Sequence, residues 1–147
     1  MHRKLFTILL AEDDQDDRFL IGKALDESGS QNQLFIVENG EFLLDFLKNR
    51  GRYADKQKYP RPDVIMLDLN MPLMDGREAL AEIKKDPELK RIPIIALTTS
   101  KSDEDINTTY DLGVTGFITK PMDFRELVGI MESFGNYWFQ SVTLPSK

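Results

Sequence analysis

The chain has 147 residues, of which 41% are hydrophobic and 30% charged, and this composition predicts one globular domain with a proper core. Its net charge of −6 argues against a large nucleic-acid interface, and the absence of cysteine excludes disulfides. Because the length suits a single domain, we expect no DNA-binding output domain. No apolar run approaches the roughly 20 residues that cross a bilayer, and we find no secretory signal, so we expect a cytoplasmic protein without membrane contact.

Short apolar runs alternate with amphipathic stretches along the chain. Apolar runs between turn residues predict buried strands, and apolar residues three or four positions apart predict helices. The predicted strands cover residues 5–11, 34–37, 64–67, 92–97 and 116–119. The predicted helices lie at residues 17–25, 43–47, 79–83, 102–112 and 123–138. This strict alternation predicts an α/β fold with a parallel sheet and helices on both faces.

Two segments depart from the typical composition of such units. Residues 48–62 are rich in Lys, Arg, Gly, Tyr and Pro, which indicates a solvated connection. The helix between Ser102 and Gly113 carries few apolar residues, so we expect it to pack loosely.

The last helix carries an apolar stripe that continues to Phe134 and Trp138. Tyr137 and Phe139 fall off that stripe, and an apolar tail follows them. An exposed aromatic pair beside such a tail is typical of a protein contact. We therefore expect a homodimer through the last helix and the tail.

Chemically reactive side chains follow four of the predicted strands. They are Glu12, Asp13 and Asp14 after the first strand, Asp68 after the third, Thr98 after the fourth and Lys120 after the fifth. The carboxyl ends of parallel strands share one edge of the sheet, where ligands bind in open α/β folds. Clustered carboxylates repel each other unless a cation shares the site, and Mg²⁺ prefers oxygen ligands. The sequence therefore predicts a magnesium site at this edge.

Asp68 can also act as a nucleophile toward phosphorus and form an aspartyl phosphate. Such a reaction needs positive charge near the transferring phosphoryl group. Mg²⁺ and the Lys120 ammonium can supply that charge, and the Thr98 hydroxyl can bind a phosphoryl oxygen. This interpretation accounts for every reactive residue at the edge.

These motifs resemble the CheY-like receiver domain of two-component response regulators. The resemblance covers residues 5–134 in order and spacing. It is carried by Glu12-Asp13, Leu67-Asp68-Leu69-Asn70-Met71-Pro72, Met74-Asp75-Gly76, Thr98-Thr99 and Lys120-Pro121. It implies a flavodoxin-like (βα)5 fold, a doubly wound parallel sheet of five strands in the order 2-1-3-4-5.

The resemblance also implies a role for each matching residue. Asp68 would be the phosphoryl acceptor, and Glu12 and Asp13 would bind Mg²⁺ together with Asp68 and the backbone carbonyl of Asn70. Thr98 would be the switch hydroxyl, Lys120 would pair with the phosphoryl group, and the Lys120–Pro121 bond would be cis. Phe117 would be the switch aromatic, although it lacks the hydroxyl of the Tyr found in the chemotaxis regulator.

The long connection at residues 48–62 and the aromatic tail are similar to stand-alone regulators of the phytochrome-associated type. This narrower resemblance implies a sensor histidine kinase of the phytochrome type, or a phosphotransfer protein, as the phosphoryl donor. A downstream protein target would then recognise the altered surface. We expect residues 1–147 to form a single receiver domain, with residues 135–147 as an extension of the last helix and tail.

Other interpretations remain open at this stage. An aspartyl-phosphatase-like enzyme also uses an Asp at a strand end, but Asn70 stands where its general acid would be. A phosphorylation-independent interaction module would not need Asp68, Thr98 and Lys120 together. Flavin binding would need a phosphate-binding loop after the first strand, which the sequence lacks. Taken singly, the acids after a strand can also be helix N-caps, and we interpret Asp17 and Asp123 as caps or solvated charges.

Overall fold

A computed structural model describes residues 6–29, 31–69, 71, 75–99 and 102–145. Five strands alternate with five α-helices, as predicted. The strands are β1 (Phe6–Ala11), β2 (Asn32–Val37), β3 (Val64–Asp68), β4 (Ile94–Thr98) and β5 (Gly116–Thr119). The helices are α1 (Gln15–Glu27), α2 (Gly40–Leu47), α3 (Gly76–Lys85), α4 (Asp103–Asp111) and α5 (Phe124–Gly135).

All five strands are parallel and form one sheet in the order β2-β1-β3-β4-β5. The predicted fold class and strand order are therefore confirmed. Ala11 pairs with Leu67 in the register, and Asp68 pairs with Leu97. This register brings the carboxyl ends of the strands to one edge of the sheet.

The core has two parts, one on each face of the sheet. Along β1, Leu9 belongs to the part under α2 and α3, whereas Ile8 and Leu10 belong to the part under α1 and α5. The alternation follows from the period of two in a strand, which sends successive side chains to opposite faces. Every residue of β3 and β4 is buried, as expected for strands that have helices on both faces.

The helix α4 is held more loosely than the others. Thr109 is its only buried residue, and its hydroxyl donates to the Asp105 carbonyl at 2.6 Å. Ser102 caps its first turn, and Gly113 follows its end with a φ of 102°. The prediction of few packed apolar residues in this helix is confirmed.

The connection at residues 48–62 is more ordered than its composition indicated. Tyr53 is only 7% exposed, and its ring lies 5.2 Å from that of Phe46 and 5.0 Å from that of Tyr59. Asn49, with a φ of 52°, donates from its amide to the Tyr53 and Tyr59 carbonyls, both at 3.0 Å. Most residues of the connection are exposed, as predicted, but Tyr53 is buried because the tyrosines close an aromatic cluster beneath the loop.

The prediction that Phe139 is exposed was wrong. The chain continues from α5 into a π-helical segment (Asn136–Ser141), in which the Val142 amide donates to the Tyr137 carbonyl at 2.9 Å. The wider turn changes the angular position of the side chains, and Phe139 stacks on the Phe6 ring at 4.4 Å between centroids. Tyr137 is exposed, as predicted, at 56%.

Among the residues that the structure describes, none belongs to a helix of the length and apolarity that a membrane span requires.

Candidate functional site

Three carboxylates meet at the edge formed by the carboxyl ends of β1 and β3. Glu12 is fully buried, Asp68 is 5% exposed and Asp13 is exposed. One oxygen from each of them lies within 4.8 Å of the others. The positions of Glu12 and Asp68 follow from the sheet register, because β1 and β3 are neighbours and both end at this edge.

Lys120 connects this cluster to the end of β5. Its Nζ donates to Glu12 Oε1 in a short contact, to Asp17 Oδ2 at 2.9 Å and to Asp68 Oδ2 at 3.5 Å. The Lys120 backbone amide donates to the Thr98 carbonyl at 2.8 Å, and this hydrogen bond holds the Lys120 backbone beside the end of β4. One ammonium group thus faces three carboxylates.

The burial of this cluster shifts two pKa values. Burial, followed by the neighbouring Asp68 carboxylate, raises the pKa of Glu12 to about 9, although Lys120 opposes the shift. Burial opposes the charge on Lys120, but its hydrogen bonds to Glu12 and Asp17 and the charge of Asp68 together raise the pKa of Lys120. The Lys120 ammonium therefore does not fully offset the cost of charging the buried Glu12 carboxylate.

The cluster fits a divalent cation. Glu12 Oε2 is buried and accepts no hydrogen bond from the residues that the structure describes. Such a buried carboxylate oxygen is costly unless a cation binds it. Three converging carboxylates are the oxygen ligands that Mg²⁺ and Mn²⁺ accept.

A close backbone contact sets the position of Asp68. The Gly76 amide donates to the Leu69 carbonyl at 3.1 Å, and a Cβ at Gly76 would lie only 2.4 Å from the Asp68 carbonyl oxygen. Only glycine therefore allows α3 to begin directly against the end of β3. Asp75 is the N-cap of that helix, because its carboxylate accepts from the Glu78 amide at 2.9 Å.

Three further residues, Thr98, Phe117 and Asn70, were predicted to belong to the site. Thr98 ends β4, is 1% exposed and lies beside β3 in the sheet. Phe117 on β5 is half-buried against the part of the core under α2 and α3. Asn70, the predicted source of a carbonyl ligand, lies outside the described residues.

Two interpretations of the sequence need correction at this site. Asp17 is not a cap or a solvated charge, because its carboxylate binds Lys120. Its position about one helical turn after Asp13 was the available signal, but the sequence does not show that α1 brings this turn to the end of β5. The predicted cis bond before Pro121 was also wrong, since all the described peptide bonds are trans, the isomer that X-Pro bonds intrinsically favour.

Asp14 has a local role beside the acidic pair. Its carboxylate accepts from the Asp16 amide at 2.8 Å and from the Asp17 amide at 3.2 Å, which makes it the N-cap of α1. Of the two roles considered for the acids after β1, the cap describes Asp14.

A parallel sheet in this strand order, with an acidic cluster and a lysine at its carboxyl edge, defines a class of signalling domain. The chain belongs to the response regulator receiver domain family, whose family model matches residues 8–132. The resemblance to receiver domains that the sequence showed is thereby confirmed.

Individual proteins that are similar to this chain define a smaller group within the family. The response regulator Rcp1 of Synechocystis sp. is 40% identical over 139 residues, which covers 95% of this chain and 92% of Rcp1. The crystal structure of the phosphorylated cyanobacterial phytochrome response regulator RcpA has a TM-score of 0.89 and 42% identity, and the match covers 97% of this chain and 100% of RcpA. The Mn²⁺-bound form of Rcp1 has a TM-score of 0.84 and 40% identity, with 96% of this chain and 99% of that one covered. The chain is therefore a response regulator similar to Rcp1 and RcpA.

Proposed function

We propose that Asp68 accepts a phosphoryl group from a histidine kinase and that the protein thereby changes its interaction surface. The observation that carries the proposal is the contact of one ammonium group, that of Lys120, with Glu12, Asp17 and the buried Asp68. This arrangement combines a nucleophilic carboxylate with positive charge at its side. Membership in the receiver family supports the same chemistry.

Each residue of the site has a separate role in the phosphoryl transfer. A carboxylate oxygen of Asp68 forms a bond to phosphorus while the phosphorus–nitrogen bond of the donor phosphohistidine breaks. The imidazole keeps that electron pair and takes a proton from water. Lys120 pairs with a phosphoryl oxygen, and the Thr98 hydroxyl donates to another.

Mg²⁺ is the proposed metal. Glu12, Asp13 and Asp68 would hold it, with the Asn70 carbonyl as a further ligand. When bound, it would supply positive charge that offsets the charge on the phosphoryl group. Glu12 Oε2, which accepts no hydrogen bond from the described part of the chain, and the Mn²⁺-bound form of Rcp1 support a divalent ion at this site.

The proposed partners follow from the relatives. A sensor histidine kinase of the phytochrome type, or a phosphotransfer protein, would supply the phosphoryl group, because RcpA is a phytochrome response regulator. Such a kinase draws on intracellular ATP, so the proposal includes a cytoplasmic location. A downstream protein would read the change at α4, β5 and α5, where the loosely held α4 allows Thr98 and Phe117 to rearrange.

An aspartyl-phosphatase-like enzyme and a phosphorylation-independent module are not favoured. The only chemistry we assign is the protein's own phosphorylation and dephosphorylation at Asp68.

The test is phosphorylation of the purified protein with acetyl phosphate. We expect one phosphoryl group per chain in the presence of Mg²⁺, stable in acid and released by hydroxylamine, as an acyl phosphate should be. Intact-mass measurement counts the group, and peptide mapping locates it. Phosphorylation that proceeds equally well in excess chelator would contradict the metal role of Glu12 and Asp13.

A homodimer through α5 and the tail is part of the proposal. An open groove between β5 and α5 is lined by Phe117, Ile130 and Trp138, and Tyr137 lies exposed at the end of the same helix. Because like charges across an interface cost several kcal/mol, Tyr137→Glu should raise the dimer dissociation constant at least about tenfold. Sedimentation velocity measures the change. The matched control is Phe19→Glu, which replaces an exposed aromatic side chain on α1. A wild-type protein that is monomeric both with and without phosphorylation would contradict the dimer.

A further inference from the structure

Asp17 is the partner of Lys120 that the proposed phosphotransfer does not use. It belongs to the first turn of α1, and its carboxylate accepts from Lys120 Nζ at 2.9 Å. Nζ is farther from Asp68 Oδ2, at 3.5 Å. The ammonium is thus held mainly by Glu12 and Asp17 rather than by the proposed acceptor.

The three contacts of Nζ match the three donors of an ammonium group. A phosphoryl oxygen can bind Nζ only if one of these donors turns away from its present acceptor or if the ammonium moves toward Asp68. The Glu12 side chain is fully buried, and no water can replace its contact. The Asp17 side chain is 36% exposed, so water can solvate its carboxylate when Lys120 leaves. Of the two close partners, Asp17 is therefore the one released at the lower cost when the ammonium moves toward Asp68.

We infer that Asp17 is a positioning residue that competes with the phosphoryl group for Lys120. In the unphosphorylated protein the ion pair holds the ammonium against α1. When Asp68 carries a phosphoryl group, Lys120 pairs with it and the Asp17 carboxylate is released to solvent. The inference rests on the proposed function and adds a residue that opposes phosphorylation.

The kinetic consequence is asymmetric. The ion pair stabilises the unphosphorylated protein but not the transition state, so removing the Asp17 charge should speed phosphorylation. Hydrolysis starts from a state in which Lys120 already pairs with the phosphoryl group, so its rate should not change. Partly exposed ion pairs are worth up to about 1 kcal/mol, and the expected acceleration is therefore about three- to fivefold.

The experiment compares Asp17→Asn with Asp16→Asn. Asp16 is exposed in the same turn, is not among the three carboxylates that Lys120 Nζ contacts, and loses the same charge when replaced. Phosphorylation by acetyl phosphate at saturating Mg²⁺ gives one rate, and decay after removal of the donor gives the other. Asp17→Asn should be phosphorylated about three- to fivefold faster than wild type and should decay at the wild-type rate, whereas Asp16→Asn should match wild type in both.

Each other outcome has a distinct meaning. If Asp17→Asn slows both rates, Asp17 assists Lys120 and the competition is refuted. If Asp16→Asn and Asp17→Asn give equal rates, only general surface charge acts and the inference fails, while the proposed function stands. If the wild type takes up no phosphoryl group at all, the proposed function itself fails. Thermal melting of each variant excludes a loss of folding as the cause of a slow rate.

Discussion

Asp68→Asn protein should take up no phosphoryl group under conditions that phosphorylate the wild type fully. An amide is a far poorer nucleophile than a carboxylate, and no other carboxylate of the site combines deep burial with a contact to Lys120 except Glu12, which is expected to bind the metal. Asn has the same shape as Asp, so the end of β3 should keep its contacts. Intact-mass measurement after incubation with acetyl phosphate and Mg²⁺ gives the result.

The matched control for this change is Asp75→Asn. It removes the same charge seven residues later, and Asn caps a helix about as well as Asp, so α3 should be preserved. We expect this variant to be phosphorylated like the wild type. A full phosphoryl group on Asp68→Asn protein would show that another side chain is the acceptor.

The architecture and the main site could be predicted because both follow from local patterns. The apolar runs of β3 and β4 are too short for globular helices and predict strands buried on both faces, and strict alternation with helices predicts a parallel sheet. Parallel strands end at one edge, so Glu12, Asp68 and Lys120 were expected on the same edge, and the long Lys120 side chain completes the contact from β5. The strand order, which places β1 beside β3, was implied by the resemblance to receiver domains and not by these patterns.

The features that the sequence did not predict depend on tertiary contacts or on a local change in helix type. The contact of Asp17 with Lys120 joins residues 103 positions apart and requires the packing of α1 beside the start of α5. The buried Tyr53 depends on Phe46 and Tyr59, which come from two different segments. Phe139 depends on a change in helix type after α5, which shifts its side chain onto Phe6. No periodicity in the sequence encodes these three arrangements.

Glu12 should make the metal-free protein less stable as the pH rises. Its pKa is about 9 in the folded protein against an ordinary value of 4.5, so between these values the folded state binds the proton that the unfolded chain has lost. The stabilisation from this proton is complete below pH 4.5 and is lost as the pH rises through 9. Each pH unit in this window lowers the free energy of unfolding by up to about 1.4 kcal/mol. Lys120, whose pKa is raised from 10.5, titrates above this window and does not cancel the slope.

Thermal melting in chelator between pH 6 and 8.5 measures this slope. Glu12→Gln should flatten the pH dependence of stability, because Gln carries no proton to lose. Glu78→Gln, which replaces an exposed side chain on α3, should leave the pH dependence unchanged. A divalent ion should flatten it as well, since its ligand must be deprotonated. Binding of Mg²⁺ near pH 7 should then release about one proton per ion, which calorimetry in buffers of different ionisation enthalpy detects. Equal slopes for wild type and Glu12→Gln, with no proton released, would mean that Glu12 is already ionised in the metal-free protein and that Lys120 alone balances its charge.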